Sequence, residues 1–275
     1  MKKKDNFEVE KGYFRDGLPY TRIGTSERIL IDLEALTYKN APQEGYMLKE
    51  FIKMHNLLAQ EFTVYLVGRK PGMPENYLFN NMADDYAKMI QTEFKEPVDI
   101  MGISTGGCIA QFLGADHPDV VSKLVIVSAA YRVSEKGIEI ERKAEELAKE
   151  GKYNKSLAKI ADLFNYSGFK KYMFKLILRL FGKMIMGKIE DPSDFLITAV
   201  ADRETNFKKR LSEIKAPTLI LSGELDICYT AEDVRETAEG IPNAKLILYE
   251  GYGHGLVLDN MEQVQKDILE FLKKD

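Results

Sequence analysis

Six short apolar runs, rich in β-branched residues and bounded by turn formers, limit the fold of this chain more than any other feature. They occupy 28–33 (RILIDL), 62–67 (FTVYLV), 98–103 (VDIMGI), 123–130 (KLVIVSAA), 217–223 (PTLILSG) and 244–251 (AKLILYEG). Runs of this length without polar alternation are what strands buried on both faces require. Segments of helical pattern separate them, among them YMLKEFIKMHNLLAQE, NMADDYAKMIQTEF and GGCIAQFLGADH before the fourth run, and AEDVRETAEG and MEQVQKDILEFLKK near the end. Strand and helix in alternation predict an α/β fold, a mostly parallel sheet flanked by helices on both faces. The opening FEVEKGYFRDGLPYTRIG reads as an antiparallel hairpin at the sheet edge. From 131 to 214 the pattern is helical only, which predicts an all-helical insertion acting as a lid or cap. The expected division is therefore a core of 1–130 and 215–275 with a cap of 131–214. With 275 residues, 45% of them hydrophobic, the chain can bury a sizeable core.

Within DIMGISTGGCIAQ, Gly102-Ile103-Ser104-Thr105-Gly106 matches G-x-S-x-G between a predicted strand and a predicted helix. That context makes Ser104 a candidate nucleophile on a strained turn. The elbow glycines Gly102 and Gly106 have a mechanical reason, because the chain folds back tightly on both sides of the serine and leaves no room for a Cβ. The same turn sets the N–H of Thr105 at a helix N-terminus, where partial positive charge favours a developing oxyanion. A tight turn with a buried serine would carry the same pentapeptide, so partners must decide between the two.

Serine is a weak nucleophile at neutral pH and needs a base, which in turn needs an orienting acid. Of the three histidines, His55 falls in a helical segment and His117 in the helix-end sequence GADHPD. His254 lies among glycines in EGYGHGLVLD, just after the last predicted strand, where this class of sheet places its ligand chemistry. The acid is expected between Ser104 and His254 at another strand end. Asp226 in PTLILSGELDICYT is preferred to Glu224, since it is far enough past the strand to turn towards the histidine.

The order Ser104, Asp226, His254 on alternating strands resembles the α/β-hydrolase fold family. MGISTGG, APTLILSGELD and YEGYGHGLVLDN are similar to its three motif blocks, DHPDVVSKLVIVSAA to the segment after its elbow helix, and the insertion to its variable helical cap. The resemblance implies catalytic Ser104, Asp226 and His254, and an oxyanion hole formed by the Thr105 N–H and a second backbone donor after the third strand. There the family usually carries His-Gly, whereas this chain has ILIDLEALTYKNAP. The second donor is thus sought at Leu33, Glu34 or Ala35, with Glu34 the central choice. The next strand also departs, with YLVGRKPGMPENY keeping Gly68, Arg69 and Gly72 as partial echoes. A serine at the elbow argues against the dehalogenase and epoxide hydrolase branches, which use aspartate there.

The implied reaction is hydrolysis of carboxylic esters or thioesters of small apolar acyl substrates through an acyl-enzyme, with no metal or organic cofactor. The alternatives are carbon–carbon bond hydrolysis of dioxo-acids and a non-catalytic small-molecule sensor on the same fold. In the cap, GFKKYMFKLILRLFGKMIMGK repeats Lys171, Lys175, Arg179 and Lys183 every four residues. Periodicity favours a helix with its apolar face on the core and its lysines in water. A basic amphipathic helix also suits weak membrane-surface contact or an acyl chain, and Met173 and Met184 are candidate lining of an apolar substrate pocket.

The net charge of −4 offers no whole-chain basis for nucleic-acid binding, which rests on excess Lys and Arg. The start MKKKDNFEVEKGYF has charged residues where a leader would be apolar, so the expected compartment is cytoplasmic. Cys108 and Cys228 show neither metal spacing nor a disulfide framework and are expected free and buried. No apolar stretch reaches the ~20 residues of a membrane span.

Overall fold

The computed structural model describes residues 7–274, so residues 1–6 of the charged opening lie outside the described residues. An eight-stranded sheet organises the chain, in the order β1-β2-β4-β3-β5-β6-β7-β8. β1 (Val9–Tyr13) and β2 (Pro19–Ile23) form the antiparallel edge. β3 (Ile29–Leu33), β4 (Thr63–Val67), β5 (Val98–Ile103), β6 (Val121–Val127), β7 (Thr218–Gly223) and β8 (Ala244–Tyr249) run parallel to one another. α1 (Gly45–His55), α2 (Phe79–Glu93), α3 (Thr105–Asp116), α4 (Glu135–Lys149), α5 (Tyr153–Ile160), α6 (Gly168–Met186), α7 (Ser193–Glu204), α8 (Ala231–Gly240), α9 (Leu256–Asp259) and α10 (Met261–Leu272) connect and cover them.

Period-two alternation splits the strand side chains between two apolar layers. Ile31, Ile100 and Ile220 join Met82, Ile109 and Val234 from α2, α3 and α8. Their neighbours Leu30, Met101 and Leu219 join Phe51, Val264 and Ile268 from α1 and α10. Two strands end sooner than their apolar runs. β6 stops at Val127 because Ser128 takes φ 48° while its N–H donates to the Leu221 carbonyl at 2.8 Å. β8 stops at Tyr249, before a turn with Gly251 at φ 78°.

Between β6 and β7 the chain forms α4 to α7 and two 3-10 turns, Ala161–Phe164 and Lys208–Glu213. The second turn packs Leu211 into the layer of α3 and α8. The expected orientation of the basic helix is corrected here. On α6 only Leu178 and Gly182 are buried, whereas Phe169, Leu180 and Met184 are 77%, 62% and 73% exposed. Its apolar stripe is broader than the surface that α5, α1 and the Phe164 turn cover, so Phe169, Tyr172, Ile177, Leu180, Phe181 and Met184 face outwards.

At the end of β5 the chain turns straight into α3. A Cβ on Gly102 would lie 2.3 Å from the Gly106 carbonyl oxygen, and one on Gly106 1.9 Å from that of Leu33. Both are backbone contacts that no side-chain rotation relieves. Gly106→Ala is therefore expected to lower unfolding free energy by at least ~2 kcal/mol, the upper range of overpacking costs, measured by urea titration. Unchanged stability would show that the approach of α3 to β3 is not tight.

Candidate active site

The turn from β5 to α3 holds Ser104 at φ 55° and ψ −125°, a conformation that side-chain-bearing residues rarely adopt. Its N–H donates to the Val127 carbonyl at 2.8 Å, so the neighbouring strand fixes the turn from below. Thr105 and Gly106 open α3, where N–H groups lack intrahelical acceptors. Ser104 Oγ lies 3.1 Å from Nε2 of His254, and Nδ1 of the same ring lies 2.9 Å from Oδ2 of Asp226. The other Asp226 oxygen, Oδ1, accepts the N–H groups of Cys228 (2.7 Å) and Tyr229 (3.1 Å), which locks the carboxylate in place. Glu224, the competing acid, instead faces Arg235 at 3.8 Å.

The remaining histidines serve other contacts. His55 is buried between the Phe51 carbonyl and Asp32, both at 2.8 Å. His117 closes the far end of α3, ~20 Å along the helix from Ser104, with Asp84 at 2.7 Å. Cys108 and Cys228 are free and buried, and burial raises both thiols well above their ordinary range. Among the described residues no cluster of His, Cys, Asp and Glu has the makings of a metal site.

Residues 198–275 match the family model described as TAP-like protein. The chain is 28% identical over 221 residues to a bifunctional esterase/perhydrolase of Acinetobacter calcoaceticus, spanning 75% of this chain and 78% of the relative. It is also 28% identical over 209 residues to the AB hydrolase superfamily protein YisY of Bacillus subtilis, spanning 72% and 74%. The enol-lactonase structure from Burkholderia xenovorans superposes with a TM-score of 0.75 at 18% identity, over 96% of this chain and 100% of that one. The chain has the α/β-hydrolase fold.

Compared with the expected motif pattern, the chain departs most after β3. The choice of Glu34 as oxyanion donor is corrected by the geometry, since its N–H donates to the Val67 carbonyl at 3.1 Å and prolongs the β3–β4 ladder. Ala35, the next residue, has no hydrogen-bond acceptor for its N–H among the described residues. Arg69 is wholly buried and donates to the carbonyls of Glu34 (2.7 Å) and Ala35 (3.0 Å), which fixes the loop. The Glu34 side chain turns to the β4 side, where Gln43 donates to it at 2.6 Å, while the elbow follows β5 on the other side. Burial raises its carboxyl to about 7, against the opposing pull of the Arg69 charge and the Gln43 hydrogen bond. Asp32 is likewise engaged, by His55.

The helices between β6 and β7 reach the site in three places. Asp194 on α7 accepts the N–H groups of Gly72 and Met73, both at 2.9 Å, tying α7 to the loop after β4. Asp202, also on α7 and fully buried, accepts the Thr105 hydroxyl at 2.5 Å and the Tyr229 hydroxyl at 3.3 Å. Phe164 presents its edge to the His254 ring at 5.9 Å, and a Cβ on Gly255 would lie 2.8 Å from the Phe164 ring, so that glycine admits the aromatic. Of the candidate pocket residues, Met173 is half-buried on α6. Met184 is exposed and shares a groove of about 270 Å³ with Met47 and the 37–45 loop. Single side chains such as Asp202 and Arg69 carry no motif, so sequence reasoning had no signal for Asp202 and only the remnant GRK for Arg69.

Burial opposes a charged His254, but the Asp226 charge, its hydrogen bond and the more distant charge of Asp202 outweigh burial and raise the imidazole above its ordinary value. Removing a negative charge destabilises the imidazolium. Asp202→Asn is therefore expected to lower the His254 pKa, read by NMR titration of the ring protons. An unchanged titration would show that Asp202 does not act on the histidine.

Proposed function

We propose that the protein is a serine hydrolase that cleaves carboxylic esters or thioesters of apolar acyl groups through an acyl-enzyme. The observation that carries this reading is the continuous relay from Ser104 Oγ to His254 (3.1 Å) and on to Asp226 (2.9 Å), set on a turn that leaves the serine half-buried. Ser104 attacks the acyl carbon while His254 Nε2 takes its proton, and Asp226 holds the ring tautomer and stabilises the cation. The oxyanion accepts from the Thr105 N–H and from the Ala35 N–H that the Arg69-pinned loop leaves available. His254 then returns the proton to the leaving alcohol or thiol, and water deacylates the serine by the same steps in reverse.

Aromatic neighbours support the acyl preference. Phe164 and Tyr229 flank His254 at 5.9 and 5.8 Å, and Phe174 joins Phe164 at 5.4 Å. The esterase named among the relatives supports ester chemistry. A dioxo-acid substrate would call for a cation to hold its carboxylate, and the buried Arg69 is already committed to two carbonyls. Ester cleavage is therefore the better reading.

On p-nitrophenyl esters, kcat/KM is expected to rise from acetate to medium-chain acyl groups and to increase with pH as His254 loses its proton. Ser104→Ala should reduce kcat by about a millionfold. Equal rates on all chain lengths would remove the acyl preference, and an active Ser104→Ala would overturn the nucleophile.

A further inference from the structure

The outward face of α6 is unlike the rest of the surface. Residues 151–188 hold nine Lys and Arg and a single acid, Asp162, in a chain whose net charge is −4. The inward line of α6 is narrow. Leu178 is buried, and a Cβ on Gly182 would meet Asn154 Oδ1 of α5 at 2.9 Å. Phe169, Ile177, Leu180 and Met184 on the far side, with Tyr172 and Phe181 on the flanks, are all exposed. At 100° per residue, Phe169, Ile177, Leu180 and Met184 fall within a quarter-turn of one another, and the row Lys171, Lys175, Arg179 and Lys183 winds from the inward line to the border of that patch. The apolar patch continues onto α1 through exposed Tyr46 and Met47, the latter sharing a groove with Met184.

The charges on this border are not used up within the protein. Lys159, Lys171 and Lys175 all surround the one carboxylate of Asp162, at 2.9, 3.5 and 2.8 Å. Lys155, Arg179 and Lys183 have no carboxylate partner among the described residues. Together with Lys152, Lys159 and Lys175 they line a groove of about 660 Å³ between α5 and α6, beside the apolar face.

We propose that α6 docks the protein on an anionic lipid surface, with its apolar face entering the headgroup boundary and lipid phosphates meeting the groove cations. A membrane uses both halves of this surface, whereas a soluble polyanion would engage the groove and leave the aromatic and aliphatic side chains in water. The acidic remainder of the molecule is repelled by the same lipids, so the charge distribution also sets which face lands. Docking this way turns α6, whose Phe174 packs on Phe164, towards the bilayer, the source of apolar acyl compounds. The inference goes beyond the ester chemistry and is read without turnover.

The test is flotation of the purified full chain with vesicles of phosphatidylcholine alone or with added phosphatidylserine, at low and high salt. The expected result is at least tenfold greater partitioning onto the anionic vesicles, reduced by salt. It should be lost both in a Leu180→Glu, Met184→Glu double variant and in an Arg179→Glu, Lys183→Glu double variant. All four side chains are exposed, and unchanged thermal unfolding will show that the variants fold. Absence of binding to anionic vesicles overturns the proposal. So does binding that the charge variant abolishes and the apolar variant leaves intact, which would assign the groove to a soluble polyanion. A concentration-dependent dimer that Leu180→Glu dissociates, without vesicle binding by the parent chain, would assign the face to a second copy instead.

Discussion

The close approach of α3 to the ends of β3 and β5 is the constraint on which the site depends. It brings Gly106 against the Leu33 carbonyl and forces Ser104 into a conformation costing ~1–3 kcal/mol. The hydrogen bond from Ser104 N–H to Val127 and the buried strands on either side hold that conformation. The strain has a chemical consequence. It lifts Oγ out of the sheet towards His254 while keeping the free N–H groups of the first helical turn beside it.

Around that turn, polar contacts replace the usual sequence signature with a different set of supports. Arg69 holds the backbone after β3 by its carbonyls, so the loop is positioned by a guanidinium where a His-Gly pair would be expected. Asp202 reaches from α7 to the hydroxyl of Thr105, which couples the helical insertion to the elbow directly. Asp194 and Phe164 add contacts to the β4 loop and to the histidine. Of these ties the Asp202–Thr105 hydrogen bond is buried, so moving α7 relative to the elbow requires breaking it.

The strands were legible because buried parallel strands must be continuously apolar, and their runs matched β3 to β8 to within a few residues. The mismatches at Ser128 and Gly251 arise from backbone conformation, which composition does not encode. The convergence of Ser104, Asp226 and His254 was legible because strand-end loops in this architecture gather on one edge. The donor after β3 was not, since a one-residue choice between Glu34 and Ala35 depends on where the ladder to Val67 ends. For α6, periodicity revealed two faces but said nothing of what covers them. Contacts such as Asp202 to Thr105 join residues 97 apart in sequence and leave no local pattern.

The central claim is that Ser104 is an activated nucleophile. Treating the folded protein with a fluorophosphonate and mapping the adduct by mass spectrometry tests it most directly. The account predicts a single adduct on Ser104, formed faster as His254 deprotonates. A folded protein that stays unlabelled, or an adduct elsewhere, would contradict it.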